Sequence, residues 1–132
     1  MVSFKLSSVE RIKSKKDFEV IYSSGTIFYS SDYKLKAIFV KELNAAEPSV
    51  KIAAAVNRKS GNAVWRNRVK RLIKESYRLN KHILLPIVIE KKVQIKVVFS
   101  AYHLNKKNNN FVKLSDIFPN LVELMHKIAD GL

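Results

Sequence analysis

Apolar and polar residues follow two distinct periods along this chain, and the periods divide it into helices and strands. Phe18, Ile21 and Tyr22 share one helical face; Ser14 with Asp17 three positions on makes a capping-box-like start, and Gly25 is a stop signal, so a first helix is predicted from about Ser14 to Gly25. In Tyr33–Val40, Tyr33, Leu35, Ala37 and Phe39 project to one side and Lys34 and Lys36 begin the other, which is the period of a strand. Val50–Val56 is apolar apart from Lys51 and is predicted to be a central strand covered on both faces. A third strand is expected over Val93–Ser100, with Ile87–Ile89 a further short strand before it. The last helix is predicted from about Ser115 to Ile128, where Ile117, Leu121, Leu124, Met125 and Ile128 form one stripe, with Pro119 blurring its start.

The most informative segment is residues 58–78, RKSGNAVWRNRVKRLIKESYR. A turn at Ser60-Gly61-Asn62 leads into a helix with Asn62 as its cap. At about 100° per residue, Trp65, Val69, Leu72, Ile73 and Ser76 gather on one side. Asn67, Lys70, Arg71, Lys74 and Arg78 gather on the other, with Arg66 and Arg68 at the two margins. The predicted order is αββαβα, a single α+β domain over residues 1–132.

Charge changes the picture more than composition does. Twenty-five Lys and Arg face eleven Asp and Glu, a formal net charge of +14, and a compact chain so charged calls for a polyanionic partner. Glu75 is the sole carboxylate of residues 58–78, so ion pairing within the segment does not use up its cations. A nucleic acid is the expected partner, because guanidinium groups grip phosphates bidentately and a helix N-terminus adds free N–H groups. No helix carries the broad apolar face that a membrane surface requires. The chain has no cysteine, and residues 1–9 lack the apolar run of a signal peptide, so a cytoplasmic protein is expected. Asn105–Asn110 reads as a polar surface loop.

Gly61-Asn62-Ala63-Val64, one intervening residue, then Arg66-Asn67-Arg68-Val69-Lys70-Arg71 resembles the RNR signature of the bacterial ribonuclease P protein family. Glu75-Ser76-Tyr77-Arg78 continues the resemblance, and Asp17-Phe18, Val20, Tyr22 and Gly25 match the family's upstream pattern. The resemblance covers residues 11–78 well; beyond, it rests on the strand-then-helix order. It implies an α/β sandwich with a left-handed βαβ crossover, an exception to the usual hand. It further implies that Arg58, Lys59, Asn62, Arg66, Asn67, Arg68, Lys70, Arg71 and Lys74, with Arg78 on the same band, face the catalytic ribonuclease P RNA. The single-stranded 5′ leader of precursor tRNA would lie in a cleft between the first helix and the sheet. Phe18 and Tyr22 fall at the helix positions lining that cleft, and Lys34 and Lys36 at the strand positions. The family often has an aromatic residue on that strand face. Residues 79–92 are apolar and lysine-rich where the family has a Pro/Gly-type turn, which leaves their path open.

By the same resemblance the activity is phosphodiester hydrolysis in tRNA 5′ maturation. Its catalytic groups and required Mg²⁺ would belong to the RNA, with no catalytic residue, metal or cofactor on this chain and no obligate protein partner. The residues themselves agree: His82, His103 and His126 show no ligand spacing, and no nucleophile elbow or phosphate-cradling glycine loop occurs. Two rival readings are a stand-alone RNA-binding protein, in which Phe18 and Tyr22 are buried core, and a self-sufficient metal-dependent nuclease.

Overall fold

The computed structural model describes residues 10–132; the expectation about a signal peptide falls on residues 1–9, outside them. The elements are α1 (Lys15–Ser24), β1 (Thr26–Tyr29), β2 (Leu35–Glu42), β3 (Ser49–Ala55), α2 (Ala63–Leu79), α3 (Leu85–Lys91), β4 (Gln94–Ala101) and α4 (Leu114–Asp130). The predicted order is present within this longer one, with β1 and α3 added. Two caps stand where the side-chain pattern puts them. Ser14 Oγ accepts from Asp17 N, and Asn62 Oδ1 accepts from Trp65 N.

The sheet order is β1-β2-β4-β3, antiparallel except for the β3–β4 pair. A parallel pair needs a long crossover, and α2 with α3 supplies it. β3 is therefore an edge strand, not the central one its apolar run predicts. It is apolar because both its faces are packed: Val50 and Ile52 lie in the main core, and Ala53 and Ala55 pack on the opposite face. Its outer edge is also met by the chain before α1, where Ile12 N donates to Ile52 O at 3.0 Å. Residues 87–89 are helical in α3, correcting the strand expected there. Pro86 sits in that helix's first turn, where its missing N–H costs nothing, and Lys92 ends it in the left-handed region at φ 56°. Tyr33 leaves the predicted strand as well, standing at φ 59° in the turn before β2.

One face of the sheet packs on α2 and α4. Leu35, Ala37 and Phe39, with Ile95, Val97 and Phe99, meet Trp65, Val69 and Ile73 of α2 and the predicted stripe of α4. The other face carries a smaller cluster of Ile12, Ile21, Ile38 and Val98, on which Phe18 packs. α1 covers that face only partly, and the uncovered part becomes a cleft. Gly25 ends α1 in ordinary extended backbone; it is glycine because a Cβ would stand 2.5 Å from Ile21 O and 2.6 Å from Ile38 Cγ1.

Tyr77 joins the buried side of α2, beyond the predicted stripe, and its hydroxyl has no hydrogen-bond partner among the described residues. Burial first, then the nearby charge of Glu10, pushes this phenol far above its ordinary pKa. A buried, unsatisfied hydroxyl costs about 1–3 kcal/mol. Tyr77→Phe is accordingly expected to raise the denaturant midpoint at unchanged slope, by about 1 kcal/mol of stability. A lowered midpoint would show that the hydroxyl is satisfied after all.

Candidate nucleic-acid interface

The approach to α2 is built from side chains that turn the backbone. Asn57 Oδ1 accepts from Lys59 N at 2.9 Å and sets a short 3₁₀ turn over Arg58–Ser60. Gly61 then lets the chain pass the Trp65 ring, where a Cβ would stand 2.7 Å from Cε3. Trp65 is 3% exposed and its Nε1 donates to Asn109 O at 2.8 Å, so it is core, as its place in the stripe predicts.

The opposite side of α2 presents the cations. Asn67, Lys70, Arg71, Lys74 and Arg78, with Arg11 from the segment before α1 and Glu75 as the one carboxylate, line a groove of about 400 Å³. A second groove of about 710 Å³ is bounded by Asn62, Val64, Arg68, Arg71, Lys106 and Phe111, among others. Asn67 and Arg71 line both and stand between them. Arg78 pairs with Glu75, whereas Arg58, Lys59, Arg66, Arg68, Lys70, Arg71 and Lys74 make no ion pair among the described residues. Arg66 Nε donates to Gly61 O at 3.1 Å and Arg68 Nε to Val112 O at 2.6 Å. Each guanidinium is thereby oriented by one nitrogen while its terminal nitrogens have no partner among the described residues. That is the fork a phosphate accepts.

Residues 105–110 are more than a polar surface loop. They fold back onto the start of α2, with Lys106 N donating to Ser60 O at 2.7 Å, and bring Lys106, Asn110 and Phe111 into the interface. Phe111 is 64% exposed, and the Arg68 guanidinium carbon lies 4.4 Å from its ring centroid. An aromatic residue at the end of a polar segment is the one signal the sequence offers for this; the juxtaposition with Arg68 joins distant parts of the chain and leaves no trace in local spacing.

On the other face of the sheet, Tyr22, Lys36, Asn57, Lys59, Ser100, Tyr102 and Lys107 are among the residues lining a cleft of about 670 Å³. Tyr22 is 55% exposed and partial burial raises its phenol's pKa, so the hydroxyl remains protonated at neutral pH. Phe18 is half-buried in the smaller core cluster, its ring stacked 6.5 Å from that of Tyr22. Asp17 pairs with Lys96 at 3.0 Å. Lys36 Nζ lies 5.1 Å from the Tyr102 ring centroid. Lys34 is exposed but does not line the cleft; its charge helps to hold the carboxyls of Asp32 and Asp116 below the usual range. At Asp116 the larger cause is the hydrogen bond from Lys113 N; at Asp32 burial opposes, and hydrogen bonds from Lys34 N, Ser30 and Asn120 outweigh it. His82, His103 and His126 are all exposed.

The family model described as Ribonuclease P matches residues 6–128. The chain belongs to the ribonuclease P protein family. The ribonuclease P protein component of Alkaliphilus metalliredigens is 32% identical over 124 residues, covering 94% of this chain and all of that one. That of Porphyromonas gingivalis is 34% identical over 99 residues, 74% of this chain and 70% of its own. The ribonuclease P protein of Staphylococcus aureus superposes with a TM-score of 0.67 at 25% identity, over 91% of this chain and 94% of that one. The Thermotoga maritima protein gives a TM-score of 0.70 over 89% and 96%; at 22% identity it speaks for the fold alone. As a ribonuclease P protein the chain is a component of an endoribonuclease holoenzyme and associates with ribonuclease P RNA. No helix of the described residues is long and apolar enough to cross a membrane.

Proposed function

We propose that α2 and its flanking loops bind the ribonuclease P RNA, and that the cleft between α1 and the sheet takes the 5′ leader of precursor tRNA. In this reading the protein screens phosphates and raises affinity for precursor over product. Hydrolysis and its Mg²⁺ belong to the RNA. The observation that carries it is the row of cations on α2, of which Arg66, Arg68, Lys70, Arg71 and Lys74 make no ion pair among the described residues, held rigid by a buried underside. Arg58, Lys59, Asn62, Arg66, Asn67, Arg68, Lys70, Arg71, Lys74 and Arg78 are assigned to the RNA subunit. For the leader, Tyr22 supplies an exposed ring and Lys36 a cation within the same cleft, as sequence-tolerant binding of single strands requires. Phe18 stands behind Tyr22 as both core and ring support, and Lys34 lies at the margin, where it adds to the field but not to the lining.

Replacing Arg66 and Arg68 by alanine is expected to weaken RNA-subunit binding and lower its salt slope by about one to two, with the circular dichroism spectrum retained. Unchanged affinity would remove the assignment. Tyr22→Ala in the reconstituted holoenzyme is expected to weaken precursor tRNA by about tenfold, the loss of one stacked base, without affecting mature tRNA. Equal losses for both would return Tyr22 to a purely structural role.

A further inference from the structure

The leader cleft does not end at Tyr22 and Lys36. At its far side four rings stand together: Tyr29 at the end of β1, Tyr33 in the turn before β2, and Tyr102 and His103 just after β4. Ring centroids are 5.0 Å apart for Tyr29–Tyr102, 5.7 Å for Tyr29–Tyr33, 6.0 Å for Tyr33–His103 and 4.4 Å for the nearly parallel Tyr102–His103 pair. Tyr29 is the cross-strand partner of Lys36, which is the partner of Ser100, and Tyr102 follows two residues on, on the same side of the sheet. The cluster therefore continues the cleft's own surface, and Tyr102 belongs to both.

An aromatic cluster is more often buried than displayed, yet Tyr33 is 50% exposed and Tyr102 43%. The backbone beneath is tightly fastened. Tyr102 N and Leu104 N donate to Lys34 O, and His103 N donates to Tyr33 O at 2.9 Å. Asp32 Oδ1 accepts from Ser30 Oγ and Lys34 N, each at 2.9 Å. These bonds hold Tyr33 in the left-handed region at φ 59°, where a bulky non-glycine residue is strained. Rings on a rigid base lose little freedom when a ligand stacks on them. The cations lining the shared cleft are Lys36, Lys59 and Lys107, with no carboxylate among the lining residues. Exposed rings, a fixed base and a cationic approach together match the needs of unpaired nucleotides.

We propose that Tyr102 and Tyr33, backed by Tyr29 and His103, form a stacking platform for leader nucleotides lying beyond the one held at Tyr22. This inference rests on the leader reading above and extends it. It gives the chain a longer track, in which Tyr102, across from Lys36 on the next strand, supplies the aromatic surface that Lys36 itself does not.

The test uses the holoenzyme reconstituted with ribonuclease P RNA, and precursor tRNAs carrying a short or a long leader. Tyr102→Leu keeps apolar bulk and removes the ring; Tyr33→Asn removes the ring with a residue that tolerates left-handed backbone. Each is expected to weaken the long-leader precursor by about tenfold and the short-leader precursor by much less, with RNA-subunit affinity unchanged. Tyr102→Phe is expected to bind like the parent. Long-leader binding unchanged in both variants, while Tyr22→Ala still weakens it, overturns the platform and leaves the leader reading standing. If Tyr22→Ala also fails to discriminate precursor from mature tRNA, the leader reading falls and the platform with it. Loss of RNA-subunit affinity in the platform variants would also overturn the proposal, since the rings would then serve assembly.

Discussion

Changing Lys70, Arg71 and Lys74 together to alanine is expected to weaken binding of the ribonuclease P RNA by roughly a hundredfold at about 100 mM salt. With their three phosphates no longer neutralised, the slope of log affinity against log salt should fall by about two. A slope change of two over the decade between about 0.1 and 1 M corresponds to roughly two decades of affinity, so parent and variant should converge near 1 M. These three cations are the right ones to remove because they make no ion pair and hold no backbone carbonyl among the described residues. Arg66 and Arg68 differ, since their Nε atoms also hold Gly61 O and Val112 O. The parent thermal midpoint should be nearly kept. A parallel shift, with affinity reduced equally at all salt concentrations, would mean that the band acts through shape and not through counterion release.

Trp65→Ala is expected to cost about 3–5 kcal/mol, the range for removing a large buried aromatic side chain. For a domain with about 5–15 kcal/mol in total, that is a large share of the native stability. The ring is nearly inaccessible, touches the Gly61 backbone, and donates to Asn109 O. Its loss should therefore also loosen the loop of residues 105–113, leaving it tied by Lys106 N to Ser60 O and Arg68 Nε to Val112 O, weaken the seating of Phe111 on Arg68, and lower RNA affinity even at temperatures where the variant is folded. Trp65→Phe separates the two effects, keeping most of the packing but removing the Nε1 donor; it should cost less in stability while still loosening the loop. Urea unfolding followed by circular dichroism measures the first effect and filter binding the second. A cost below about 1 kcal/mol for Trp65→Ala would contradict this packing.

Local pattern reaches some elements of the fold and stops short of others. α2 is strongly amphipathic and self-contained, so its cap at Asn62, its buried stripe and its cationic band are all legible from spacing; only Tyr77, beyond the stripe's margin, escapes. β1, four residues long, has too short a run for any period to declare itself. Residues 87–89 have an apolar run that suits a strand or a buried helix equally, and Pro86 with the left-handed Lys92 tips it to helix. β3 is apolar because both faces are packed, a condition that central and edge strands of a layered sheet share.

What the residues determine unaided is the polyanionic chemistry of the partner and an amphipathic helix with a cationic face, because net charge, periodicity and caps are properties of neighbours along the chain. Which strand lies at the edge, the return of residues 105–113 onto α2, and the meeting of Tyr29, Tyr33, Tyr102 and His103 beside the cleft are tertiary decisions. Each depends on contacts between segments dozens of residues apart, chosen by how the two sheet faces bury their apolar area, and no local pattern encodes that choice.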